Sequence, residues 1–138
     1  MRSEERKKSL GEVFTPPELV EEMLDQLPPE VWTDHTKTFL DNSCGNGNFL
    51  VAVLDRLLKT DPDPFNALSR VHGVDIMQDN VDECRERLAS RMADPSDPRV
   101  SEILTQNIVC ADGLRYHYRF DGSAPYDDAL SPDLFSWD

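Results

Sequence analysis

The sequence predicts an α/β domain, a parallel sheet of three strands with flanking helices. Three short apolar runs, Thr38–Asp41, Val71–Asp75 and Asn107–Asp112, each finish on an aspartate. The residues between them repeat their apolar side chains at helical spacing. A turn with two glycines, Gly45 and Gly47, joins the first run to the helix that follows it. Strands alternating with helices imply parallel pairing through right-handed crossovers. In such a sheet a ligand sits beyond the carboxyl ends of the strands, where Asp41, Asp75 and Asp112 fall. A chain of 138 residues makes at most one domain with a modest core.

Residues 1–10 are polar and mixed in charge, and read as a flexible arm. The domain proper is expected over residues 11–114. Its first helix starts at Thr15, a cap to which Glu18 reaches back, with Pro16 at the first helical position. Leu19, Val20, Met23, Leu24 and Leu27 then form one apolar face, and Pro28-Pro29 ends it. Residues 30–37 read as a connector anchored by Trp32. After strand one and its glycine turn, Phe49, Leu50, Val53, Leu54, Leu57 and Leu58 mark a second amphipathic helix, closed by Asp61-Pro62-Asp63-Pro64. Phe65–Arg70 is short and helical in character, and leads into strand two. Asp79 is placed to cap a helix carrying Val81, Cys84 and Leu88, and a short helix around Val100–Leu104 precedes strand three. From residue 115 to 138 aromatics (Tyr116, Tyr118, Phe120, Tyr126, Phe135, Trp137) alternate with aspartates and prolines, and no fourth strand–helix unit is legible. This tail is expected to pack on the domain or extend it.

Composition narrows the function. A formal net charge of −13 disfavours unaided binding to nucleic acid, whose phosphates require Lys and Arg. Three cysteines without paired spacing suggest a reducing compartment rather than a disulfide framework, and no metal site is expected. Met1–Ser9 lacks the apolar centre of a signal peptide, and no run is long enough to span a membrane. The expectation is a soluble cytoplasmic protein.

The turn Asp41-Asn42-Ser43-Cys44-Gly45-Asn46-Gly47-Asn48-Phe49-Leu50 carries the chemistry. Strand, glycine turn and helix bring bare amides and a helix N-terminus against a ligand. A dinucleotide fingerprint requires a third glycine where Leu50 stands, and a phosphate loop requires a Lys-Ser/Thr that does not follow. A nucleoside ligand without a pyrophosphate remains, with S-adenosylmethionine the leading candidate. Asp75 is placed for the vicinal ribose hydroxyls, either that or a solvated strand-end acid. Asp112 is placed for an exocyclic adenine amine, the plainer alternative being a turn aspartate before Gly113. Asp41 orients the glycine loop and the ligand's ammonium, or serves the loop alone. Phe14 and Thr15 either fold over the methionine end or form a staple and cap. His72 reads as a core histidine, and His35 and His117 take no role.

Gly11-Glu12-Val13-Phe14-Thr15-Pro16-Pro17-Glu18-Leu19-Val20 and Leu40-Asp41-Asn42-Ser43-Cys44-Gly45-Asn46-Gly47-Asn48-Phe49-Leu50 resemble the amino-terminal half of N6-adenine DNA methyltransferases, of the gamma arrangement and of type I modification subunits. Gly73-Val74-Asp75-Ile76 and Asn107–Gly113 match the next two cofactor segments in order and spacing. The likeness covers about residues 11–114; it departs at Val13, an extra residue, and at Asn42 and Ser43 where Pro and Ala are usual. It implies a truncated Rossmann-like methyltransferase fold with strand order 3-2-1, and S-adenosylmethionine as cofactor. It implies Phe14, Thr15 and the Gly45–Gly47 turn at the methionine end, Asp75 on the ribose, Ile76 against the adenine ring and Asp112 on the adenine amine. The family's catalytic Asn/Asp-Pro-Pro-Tyr/Phe is absent, and the nearest fragment is Ser123-Ala124-Pro125-Tyr126. No catalytic residue is therefore assigned.

The resemblance implies a cofactor half of a restriction–modification type enzyme, from a bacterial or phage-infected cell, in which positioning rather than covalent catalysis does the work. Strand one is left as an open edge. A homodimer or hetero-oligomer through that edge or the tail is expected, with DNA reached only with a partner, if at all. Two other readings stand beside it: a non-catalytic cofactor-binding regulatory or decoy subunit, and an acidic inhibitor that imitates DNA.

Overall fold

The structure, a computed structural model, describes residues 15–127. Helix α1 spans Pro17–Asp25 and the short helix α2 Glu30–Thr33; strand β1 is Phe39–Asp41. Helices α3 (Asn48–Thr60) and α4 (Pro64–Ser69) lead to β2 (Val71–Asp75), and α5 (Gln78–Ala89) and α6 (Pro98–Asn107) to β3 (Ile108–Cys110). The three strands are parallel, in the order β1-β2-β3, with Phe39 opposite Val71, Gly73 opposite Ile108 and Asp75 opposite Cys110. This is the predicted α/β class, with three parallel strands and flanking helices. Among the described residues β1 is an edge, and Leu40 on it is half exposed. No helix among them is long and apolar enough to cross a membrane. The predicted arm at 1–10, Phe14, Phe135 and Trp137 lie outside the described residues.

Period-two alternation in β2 divides the interior in two. Val71 joins the larger cluster, with Leu50, Val53, Leu54, Leu57, Leu88 and Ile108. Val74 faces the opposite way, onto Ala111 and Tyr116. Tyr118, Phe120 and Tyr126 pack around that second cluster, and Phe120 lies 4.7 Å from His72, centroid to centroid. The segment after β3 thus covers the second face of the sheet with aromatic rings. Burial holds the half-buried His72 imidazole below its usual pKa, against hydrogen bonding with the backbone of Phe39 and Arg70. Gly73 sets how close α3 lies to the sheet, because a Cβ there would come within 2.7 Å of Leu50 Cδ1.

The helix starts differ from expectation. Pro16, not Thr15, is the N-cap of α1, and Pro17 is its first residue, with no side-chain cap. The residue before a proline is held extended, which moves the start one position on. Of the predicted apolar face, Val20 and Leu24 are buried where α1 packs on α3, while Leu19 and Met23 stay exposed. Asp79 lies within the first turn of α5 rather than at its cap, Met77. Helix α6 is longer than predicted, because the Asp97 carboxylate accepts the Arg99 amide and starts it at Pro98.

A buried arginine ties the connector before β1 to the start of β2. Arg70 is 2% exposed and donates to the carbonyls of Val31, Asp34 and Lys37. Its guanidinium lies 3.5 Å from the equally buried Asp61 carboxylate.

Candidate functional site

Asp41 ends β1 and Asp75 ends β2; Asp112 lies two residues beyond β3. The glycine turn crosses the first two strand ends. The Cys44 amide donates to the Val74 carbonyl at 3.0 Å, and the Gly45 amide to Asp75 Oδ2 at 2.9 Å. Gly45 (φ +54°) and Gly47 (φ +93°) both take the left-handed conformation that favours glycine. Helix α3 starts immediately afterwards, with Gly47 as its N-cap. A Cβ on Gly47 would sit 2.8 Å from Cys84 Sγ, so the turn rests directly on α5.

Asp75 is the hub of this arrangement. Its Oδ1 accepts from the Met77 amide at 2.8 Å and from Asn80 Nδ2 at 3.2 Å, and its Oδ2 from Gly45. Asp41 Oδ1 accepts from the Ser43 amide. Burial pushes the Asp41 carboxyl above the usual range, the Ser43 amide opposes it, and the neighbouring charge of Asp75 adds to it. The two acids thus raise a negative potential beside the turn, and among the described residues no basic side chain is hydrogen-bonded to either. Asp112 caps its own turn: Oδ1 accepts the Leu114 amide, and its amide donates to Tyr126 Oη.

A cleft of about 40 Å³ opens at the turn, with Thr15, Asp41, Ser43, Gly45 and Asn46 in its wall. Asn48 braces it, donating to the Thr15 carbonyl and accepting from Arg87, which also donates to the Asn46 carbonyl. Thr15, Asp41, Gly45 and Gly47 therefore gather around one turn, with Asp75 bonded beneath it. Ile76 stands 63% exposed just past β2. Asp112 belongs to the adjoining turn, where a Cβ on Gly113 would lie 3.1 Å from the Asn42 carbonyl oxygen.

Asn46, Asn80 and Leu114 were not singled out from the sequence. Asn80 is fully buried on the Val81–Cys84 stripe, and a lone amide among apolar helix positions was its signal. Leu114, 96% exposed, is an apolar residue in a turn beside Asp112. Two of the thiols are poor nucleophiles: Cys44 is pushed far up by its hydrogen bond to Cys84 and by burial, and Cys110 is raised by burial. Among the described residues no group of three His, Cys, Asp or Glu is placed to hold a metal ion. The Ser123–Tyr126 fragment is occupied internally: the Tyr126 ring lies under Arg115, 4.4 Å from the guanidinium carbon, and its hydroxyl holds Asp112.

The model of the family described as N-6 DNA methylase matches residues 1–106, more than three quarters of the 138-residue chain. No curated protein and no solved structure matches it. On the extent of that match, with α/β architecture and strand-end acids around a glycine turn, the chain belongs to the N-6 DNA methylase family.

Proposed function

We propose that this chain binds S-adenosylmethionine over the Gly45–Gly47 turn and acts as the cofactor-binding half of an N6-adenine DNA methyltransferase of restriction–modification type. Its sheet is then the first part of a Rossmann-like methyltransferase fold. The observation that carries this reading is the pair of strand-end carboxylates, Asp41 and Asp75, beside two left-handed glycines. The Asp41 carboxyl, pushed up by burial, favours a cationic ligand, and the cofactor has both a sulfonium and an ammonium.

The residues fit such a ligand. The cleft of about 40 Å³ suits its small ammonium end, and the purine lies outside it, over Ile76. Asp75 keeps acceptor capacity on Oδ2 for a ribose hydroxyl while holding the Gly45 amide. When bound, the cofactor supplies an electrophilic methyl group. Phe14 and Thr15 close the methionine end, and Asp112 takes the adenine amine by rotating away from the Leu114 amide.

In this reading a partner chain that docks along the open β1 edge or the tail completes the catalytic half. That partner also supplies the DNA contacts, since a charge of −13 repels phosphates. The same charge favours a second reading, a DNA-imitating inhibitor built on the retained fold, with or without a regulatory role for the cofactor.

Calorimetric titration of the purified protein with S-adenosylmethionine, repeated on Asp75→Ala, tests the proposal. Saturable binding that Asp75→Ala weakens, with circular dichroism showing the variant folded, is expected. A folded wild-type protein that binds no cofactor would refute it and leave the acidic surface as the basis of function.

A further inference from the structure

A groove of about 240 Å³ lies where α1, α3 and the end of α5 meet. It shares only Asn48 with the wall of the smaller cleft at the glycine turn. Val20 and Val51, both almost fully buried, and Ala52 form its apolar floor. A cavity of about 150 Å³ with apolar walls is enough to hold benzene. This groove therefore has room for a ring or a branched chain together with a small polar group.

The charges in the wall select that polar group. Glu21, Asp55, Arg87 and Arg91 all line the groove. Arg91 Nε lies 3.0 Å from Asp55 Oδ1, and Glu21 Oε2 lies 2.6 Å from Arg56 Nη2. Arg87, half-buried, has no ion pair among the described residues. Its Nη1 donates to the Asn46 carbonyl at 3.0 Å and to Asn48 Oδ1 at 2.7 Å, while Nε and Nη2 donate to no described group. The Nε–Nη2 edge of a guanidinium presents two parallel N–H groups whose spacing matches the two oxygens of a carboxylate. One unpaired positive charge balances one negative charge. Asp55 and Glu21 in the same wall repel a dianion such as phosphate.

We propose that this groove is a second binding site, for a small monocarboxylic acid with an aromatic or branched aliphatic body. The body covers Val20, Val51 and Ala52, and the carboxylate pairs side-on with Nε and Nη2 of Arg87. Nη1 keeps both of its bonds, so the bound acid fixes the guanidinium that braces Asn46 and Asn48. The site stands apart from the cofactor reading above and needs no cofactor to be occupied.

Phenylacetate is the probe, with phenylacetamide as its uncharged counterpart and acetate as the acid without the body. Each is titrated at constant ionic strength into isotope-labelled protein, and NMR follows Arg87 Nε–H and the backbone amides of Asn48, Val51 and Ala52. Phenylacetate should shift these signals saturably, with a dissociation constant on the order of 1 mM, as expected of so small a ligand. Acetate loses the apolar contact and phenylacetamide the charge-assisted pair, so each should bind roughly tenfold more weakly or worse. Arg87→Gln and Ala52→Phe should each weaken phenylacetate to a similar extent, with circular dichroism showing the variants folded. Ala52→Phe fills the floor and leaves Arg87 in place, so it decides the matter if Arg87→Gln fails to fold. Phenylacetamide binding as tightly as phenylacetate, shifts lying away from the groove, or unchanged binding to folded Ala52→Phe would overturn the assignment. So would the absence of any saturable shift with phenylacetate. Because the readout needs no cofactor, failure here leaves the cofactor reading standing, and failure of that reading leaves this site standing.

Discussion

Replacing Gly47 with alanine tests how the glycine turn is seated. The substitution does two separable things. It places a non-glycine residue at φ +93°, where the left-handed conformation costs about 1–2 kcal/mol. It also puts a Cβ 2.8 Å from Cys84 Sγ and 3.3 Å from Cys84 Cα, in a part of the core where Cys84 is fully buried. Overpacking of this kind costs about 1–3 kcal/mol, for a combined loss of about 2–5 kcal/mol. Gly122→Ala supplies the control. It has the same backbone problem, at φ +82°, but its nearest neighbour is Gln106 Cγ at an ordinary 3.7 Å. The entropy gained by restricting the unfolded chain is common to both and cancels. Urea unfolding should therefore show Gly47→Ala less stable than Gly122→Ala by about 1–3 kcal/mol, a midpoint difference on the order of 1 M. Adding Cys84→Ala removes the sulfur and leaves the contacts at 3.3 Å, so it should relieve part of the loss. Cys84→Ala should accordingly cost less in the Gly47→Ala background than in wild type, a coupling measurable by a double-mutant cycle. Equal stabilities of the two glycine variants, or strict additivity with Cys84→Ala, would refute the close seating of the turn on α5.

Two further outcomes follow from the charged groups. The raised Asp41 carboxyl means that the folded state binds this proton more readily than the unfolded one. Its contribution to stability therefore falls as pH rises from the ordinary aspartate value, about 3.9, through the raised one. Asp41→Asn keeps an oxygen for the Ser43 amide and removes the charge. In melts followed by circular dichroism its gain over wild type should grow through that window and vanish below it, while cofactor binding weakens at neutral pH. Arg70→Met should be severe, because it leaves the buried Asp61 without its cation and deprives three carbonyls of a donor. The loss should be about 3–5 kcal/mol by chemical unfolding, and the double variant Arg70→Met/Asp61→Asn should recover part of it.

Strand β2 was legible to the residue, as Val71–Asp75, because a short apolar run between turn signals has few alternatives. The glycine turn was legible for a similar reason: two glycines one residue apart, between a strand and a helix, mark positions where no Cβ is tolerated. Helix starts were less so. Thr15 and Asp79 have capping chemistry, but Pro17 displaced one start and Asp75, reaching Met77 and Asn80, organised the other. Leu19 and Met23 share an apolar pattern with Val20 and Leu24, yet α3 covers only one side of it.

The chain's own order of residues determined the α/β class, the parallel strands, the place of the turn and the delivery of acids to one edge of the sheet. These depend on local periodicity and on the fixed hand of crossovers, both carried by near neighbours. Tertiary structure alone decided that Arg70 is buried, that Asp75 binds the turn it faces, that the aromatic segment covers the second face, and that Asn46 Oδ1 has no partner among the described residues. Each depends on groups distant in sequence that packing brings within hydrogen-bonding reach, or leaves just outside it, and no local pattern encodes such distances.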